Sequence, residues 1–110
     1  MDLEFPELVR SLPVYDGPFD AFKLESEQFN VLFASYPAGT AIANHQHGTE
    51  NLGVVTRGGL YLTTGEQTRY FGPGDWYHLE PQERHAAMFE KDTQIIEFWF
   101  AGGKAYSGQA

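Results

Sequence analysis

Turns punctuate this chain at such close intervals that little room is left for helices. "PAG" at Pro37 to Gly39, Gly58-Gly59, "TGEQ", "GPGD" at Gly72 to Asp75 and Lys91-Asp92 each break the chain. Between them lie short apolar or alternating runs: "FNVLFASY", "NLGVVTR", "LYLTT", "TRYF", "WYHLE", "HAAMFE" and "TQIIEFWF". Such runs, rich in aromatic and β-branched residues and bounded by Gly and Pro, read as strands. No window of helical period competes with them, apart from a weak one over residues 2–12. Many short strands at this spacing predict an all-β sandwich or barrel. Gly58-Gly59, between "NLGVVTR" and "LYLTT", predicts a two-residue hairpin. A chain of 110 residues is expected to form one domain. Within 1–110 the barrel core is expected at about 20–101. Residues 1–18, interrupted by Pro6, Pro13 and Pro18, are expected to form an arm, and 102–110 a tail.

Composition removes several classes of function. There is no cysteine, so no disulfide framework, iron–sulfur site or thiol nucleophile is possible. The formal net charge is -8, and the seven Lys and Arg residues are scattered. Nucleic acid and anionic membrane surfaces both need clustered basic residues, so neither is an expected partner. No apolar run approaches the roughly 20 residues of a membrane span. The start, "MDLEFPELVR", has acids where a signal peptide carries positive charge. A cytoplasmic protein is expected.

The stretch "NHQHGTENLG", Asn44 to Gly53, concentrates the chemistry. His45 and His47 stand two apart, so on an extended chain they face the same side. Such a pair can hold one metal ion through two imidazoles. His85, at the start of another predicted strand, is the third candidate, with Asn51 or Glu50 as the fourth. Three neutral nitrogens and an oxygen suit one divalent transition metal ion: Zn, Fe, Mn, Ni or Co. His78 lies mid-strand in "DWYHLE" and reads either as a packed or surface residue or as a pocket-lining acid or base. Tyr36, Trp76, Tyr77, Met88 and Phe98 are candidates to wall a pocket. In the last run Ile96, Phe98 and Phe100 share one face, and Ile95, Glu97 and Trp99 the other. Both are largely apolar, and an apolar outer face predicts a subunit interface.

These residues resemble the cupin superfamily. Its first motif reads Gly, five residues, His-x-His, three or four residues, Glu, six residues, Gly. Here Gly39 is followed by five residues, then His45-Gln46-His47, then Asn51 after three more, then Gly58 after six. The departure is chemical, because Asn51 stands at the usual glutamate and Glu50 sits one place early. The second motif is matched more loosely by "GPGDWYHLEPQERH", Gly72 to His85. Glu80, Pro81 and Gln82 replace its Pro, small residue and Gly, and Phe89 replaces its closing Asn.

The resemblance covers about residues 30–100. It implies a double-stranded β-helix, a jelly-roll-like barrel of antiparallel strands, working as a homodimer. It implies a metal site of His45, His47, His85 and Asn51. Catalytic residues are not identified; Glu50, placed outside the ligand set, and His78 are the candidates. The expected function is a metalloenzyme acting on a small polar or anionic molecule, through dioxygenase, isomerase or sugar- or uronate-type chemistry. The alternative is a non-catalytic small-molecule-binding or sensory module.

Overall fold

A computed structural model describes residues 4–100. The tail expected over 102–110 lies outside the described residues. The described chain is nine strands and one short helical turn, α1 (Glu7–Arg10). The strands are β1 (Asp20–Glu25), β2 (Phe29–Tyr36), β3 (Ala41–His45), β4 (Glu50–Arg57), β5 (Leu60–Thr64), β6 (Gln67–Phe71), β7 (Trp76–Leu79), β8 (His85–Met88) and β9 (Thr93–Phe100). They form a five-stranded sheet, β1-β2-β9-β4-β7, and a four-stranded sheet, β3-β8-β5-β6. Every pairing is antiparallel. The fold is all-β, a jelly-roll barrel, as the strand pattern predicts.

The turns fall where the sequence places them, but two join different partners than expected. "TGEQ" closes a true hairpin, with Thr64 opposite Gln67. In "GPGD" the Asp75 N–H donates to the Gly72 carbonyl (2.9 Å) and Gly74 takes φ +88°. Gly58-Gly59 is not a hairpin. β4 pairs with β7 and β9, whereas β5 pairs with β6 and β8, so these glycines turn a corner between the sheets. Gly58 has φ +77°, and a methyl group there would collide with the Asp92 carbonyl and Thr93. The buried Thr93 hydroxyl pins the corner by accepting from the Gly59 N–H (3.1 Å). The Lys91-Asp92 turn likewise crosses from β8 in one sheet to β9 in the other.

The inner face of the large sheet supplies much of the core. Ala21, Ala34, Ile95 and Val55 stand side by side across β1, β2, β9 and β4, and all are buried. Its outer face is also apolar. Phe22, Phe33, Ile96, Val54 and Trp76 form one continuous cross-strand row. The N-terminal arm is less loose than its prolines suggest. Phe5 is buried against Phe33 at 5.7 Å, edge to face, and Val14 bridges to Phe22. Among the described residues no helix is long and apolar enough to cross a membrane.

Candidate metal centre

β3 and β8 pair with a register shift between Ile42 and His45, and the shift brings His45 directly opposite His85. His47 follows two residues beyond β3 and is half-buried. Each of the three histidines offers one ligand atom, and these atoms lie within 4.8 Å of one another. The ring centroids are 4.2 Å apart for His45 and His85, 4.9 Å for His47 and His85, and 5.4 Å for His45 and His47.

What fixes the rings is the other nitrogen of each. His45 Nδ1 lies 2.8 Å from the Ala43 carbonyl, and His85 Nδ1 lies 2.9 Å from the Glu83 carbonyl. A carbonyl only accepts, so both Nδ1 atoms carry a proton, and in a neutral ring that leaves the Nε2 lone pair to face the ion. His47 Nδ1 lies 3.4 Å from the Thr49 hydroxyl. Orienting a ligand imidazole through its second nitrogen is what metal sites require. The Trp99 ring lies on His47, with centroids 4.9 Å apart and planes 27° apart, and holds that ring from the side. The pKa of His47 is lowered by burial first, then by the charges of His85 and His45; burial is likewise the main cause lowering that of His85. Both effects favour the neutral, ligand-competent form.

Asn51 is buried on β4 beside this group. Its amide lies 3.5 Å from His47 Nε2, and its Oδ1 accepts from the Thr49 hydroxyl at 2.7 Å. The two ends of an amide are nearly equal in size. With a cation present, a half-turn of the amide brings Oδ1 toward it and lets the NH2 group donate to Thr49. The three converging imidazoles fit a divalent transition metal ion, and the Asn51 amide, so turned, would add an oxygen.

Glu50 and His78 are not in this cavity. Strand parity puts Glu50 on the opposite face of β4 from Asn51, and there His78 Nε2 meets Glu50 Oε2 at 2.6 Å. They pair with each other on the outside of the sheet, away from the ligand imidazoles, so the two catalytic candidates named from the sequence do not face the cavity. Among the predicted wall residues, Tyr36 and Tyr77 do line the cavity, while Trp76 and Met88 are exposed and Phe98 stacks on Trp76 outside.

The cavity holds about 590 Å³ and opens onto the three histidines. Its walls include Tyr15, Phe19, Tyr36, Tyr77, Phe89 and Trp99. Tyr77 reaches inward over Gly53, where any side chain would collide with its ring. The residue that the sequence reading passed over is Glu97. It is buried on the inner face of β9 and lines the same cavity. The Tyr36 hydroxyl donates to its Oε2 (2.5 Å) and the Trp99 indole N–H to its Oε1 (2.9 Å). Burial raises the Glu97 pKa, and these two hydrogen bonds partly oppose the shift. A signal was present: Glu97 shares strand parity with Ile95 and Trp99, so a carboxylate stood on a face otherwise apolar.

Comparison with known proteins agrees with this fold. The family described as Cupin domain matches residues 32–100. No curated protein matches the chain. Many solved structures share the fold. An RmlC-like cupin from Shewanella frigidimarina NCIMB 400 aligns at TM-score 0.74 and 14% identity, covering 88% of this chain and 90% of that one. KdgF from Halomonas sp. aligns at TM-score 0.70 and 19% identity, over 76% and 80%. The DMSP lyase DddQ from Ruegeria pomeroyi DSS-3 aligns at TM-score 0.67 and 19% identity; the match spans 84% of this chain but about half, 53%, of that one.

Proposed function

This chain belongs to the cupin family, and we propose that it binds one divalent transition metal ion and acts on a small molecule held in the adjoining cavity. The observation that carries this is the convergence of His45, His47 and His85, two of them with Nδ1 anchored to a backbone carbonyl. Asn51 completes the ligand set. Zinc, iron, manganese, nickel and cobalt all suit these donors. Three imidazoles and an amide are neutral, so the ion's charge stays uncompensated by its protein ligands. Such an ion, when bound, polarises a lone-pair group of the ligand as a Lewis acid.

The chain's own part is positional. The backbone carbonyls of Ala43 and Glu83 hold two rings, Trp99 packs against the third, and the aromatic walls exclude water. Dioxygenase, isomerase and sugar- or uronate-type reactions remain the chemistries that the family resemblance favours. We also propose a homodimer in the cytoplasm. The apolar outer face of the large sheet supports the dimer, and the absence of cysteine fits a reducing compartment.

Asn51→Ala and Glu50→Gln test the ligand set against each other. Asn51→Ala is expected to weaken metal binding, though less than loss of a histidine, because water can replace a neutral oxygen ligand. Glu50→Gln is expected to leave metal affinity nearly intact, a loss well below the roughly 10–100-fold that breaking an outer contact to a metal ligand costs. Both are read by zinc affinity in competition with a chelator. If Glu50→Gln empties the site while Asn51→Ala keeps it full, the ligand set is wrong.

A further inference from the structure

Among the described residues, the cavity away from its three histidines is lined by one carboxyl group, that of Glu97. No Lys or Arg is among the described residues that line it. The one Lys in the same cross-strand row as Glu97 is Lys23. It stands two strands away on β1, and its ammonium pairs with Glu25 at 3.6 Å. Glu97 is therefore a buried acceptor with no cation beside it. Both Glu97 oxygens already accept hydrogen bonds, from Tyr36 and Trp99, and a carboxyl oxygen has a second lone pair with which to accept another. Phe19, Tyr77 and Phe89 line the same cavity with aromatic rings.

We infer that the ligand of this site is a small, planar, neutral molecule with a lone-pair group at one end and a hydroxyl at the other, the hydroxyl being received by Glu97. The aromatic walls take the flat body. The lone-pair end faces the imidazoles, and only this end depends on the metal reading above. A carboxylate or phosphate at the far end would set acceptor against acceptor at Glu97 in an apolar cavity, leaving buried polar groups without a donor. This excludes multiply anionic ligands and narrows the polar or anionic class that the family resemblance leaves open.

A matched pair of probes tests it at pH 7.5. 4-Pyridylmethanol and isonicotinate share a ring nitrogen and nearly the same size, but one ends in a hydroxyl and the other in a carboxylate. Turned end for end, isonicotinate still presents an acceptor, its ring nitrogen, to Glu97. Calorimetric titration into the zinc-loaded full chain is expected to show at least about tenfold tighter binding of the alcohol. In Glu97→Gln the preference is expected to fall to within about threefold. Gln can keep both existing contacts, its oxygen accepting from Trp99 and its NH2 donating to the Tyr36 oxygen, so the variant is expected to fold. Equal or tighter binding of isonicotinate by the unaltered chain overturns the proposal. So does a preference that survives Glu97→Gln, or failure of both probes to bind. Zinc content is measured on the same samples and the titrations are repeated on metal-free chain. A chain that takes up no zinc yet prefers the alcohol faults the metal assignment alone, and a zinc-full chain without the preference faults this inference alone.

Discussion

His85→Ala is expected to lose zinc affinity by more than the roughly 10–100-fold that breaking an outer contact to a metal ligand costs. His85 begins β8, is only 5% exposed, and stands opposite His45 across the register shift. Removing its ring leaves two imidazoles that must hold an ion in a cavity with no other nitrogen donor in the set. Alanine suits the strand start, and the ring faces the cavity rather than the packed core, so the fold is expected to persist by circular dichroism. His45→Ala and His47→Ala should behave alike. Acid should imitate them. A ligand imidazole must be neutral. The lowered pKa values of His47 and His85 keep the neutral form present somewhat below the ordinary value of about 6.5. Zinc occupancy is therefore expected to hold at neutral pH and to fall as pH drops through about 6. The metal-free chain follows the same sign: unfolding lets these two groups bind protons more readily, so their share of stability is lost as pH falls through that range. Undiminished zinc binding by His85→Ala would remove this histidine from the site.

Phe89→Ala is expected to be among the most destabilising single changes, at about 3–5 kcal/mol. Against a total stability of about 5–15 kcal/mol, that is a large share. Phe89 is 1% exposed, and its ring stacks on Tyr36 with centroids 4.3 Å apart and planes 6° apart. Its backbone is fixed on both sides, donating to Thr40 O (2.9 Å) and accepting from Gly39 N (2.8 Å). The chain cannot shift to fill the hole, and Tyr36 loses the partner that aims its hydroxyl at Glu97. Urea unfolding measures the cost, and a loss under about 1.5 kcal/mol would mean that the site collapses around the truncation.

How much of this was legible in the sequence follows from what a period of two can and cannot say. Parity alone put His45 and His47 on one side and separated Asn51 from Glu50, and the structure keeps both relations. It also divided β9 correctly into Ile96, Phe98 and Phe100 against Ile95, Glu97 and Trp99. Parity does not say which sheet a strand joins. Gly58-Gly59 has the residues of a hairpin, yet β9 enters the sheet between β2 and β4 and takes the edge that β5 would have used. Nor does parity say which of two apolar faces is inside. Hence Trp76 and Phe98 seemed as good as Tyr77 for lining a pocket. Only the second sheet, closing over one face, decides it.

The second motif shows the reverse case, where chemistry departs and shape does not. Gln82 stands where the family pattern has glycine, and it still adopts φ +66°. Its N–H donates to His47 O (2.8 Å) and its side-chain oxygen accepts from Gln46 (2.8 Å). Those bonds offset a conformation that costs a non-glycine residue about 1–2 kcal/mol. The arm was harder to read. Tyr15 and Phe19 pack against each other at 4.9 Å and Phe19 packs on Tyr36 at 5.3 Å, so residues flanked by prolines close one wall of the cavity. Long-range packing of that kind has no local signature.

The central claim is that three histidines hold a metal ion. The most direct measurement is the metal content of the full chain, purified without chelator and without a metal-binding tag, by elemental analysis. The account predicts close to one divalent transition metal ion per chain, retained on dialysis at neutral pH and absent from His45→Ala prepared in parallel. A chain that purifies empty and takes up none of zinc, iron, manganese, nickel or cobalt on loading would contradict it.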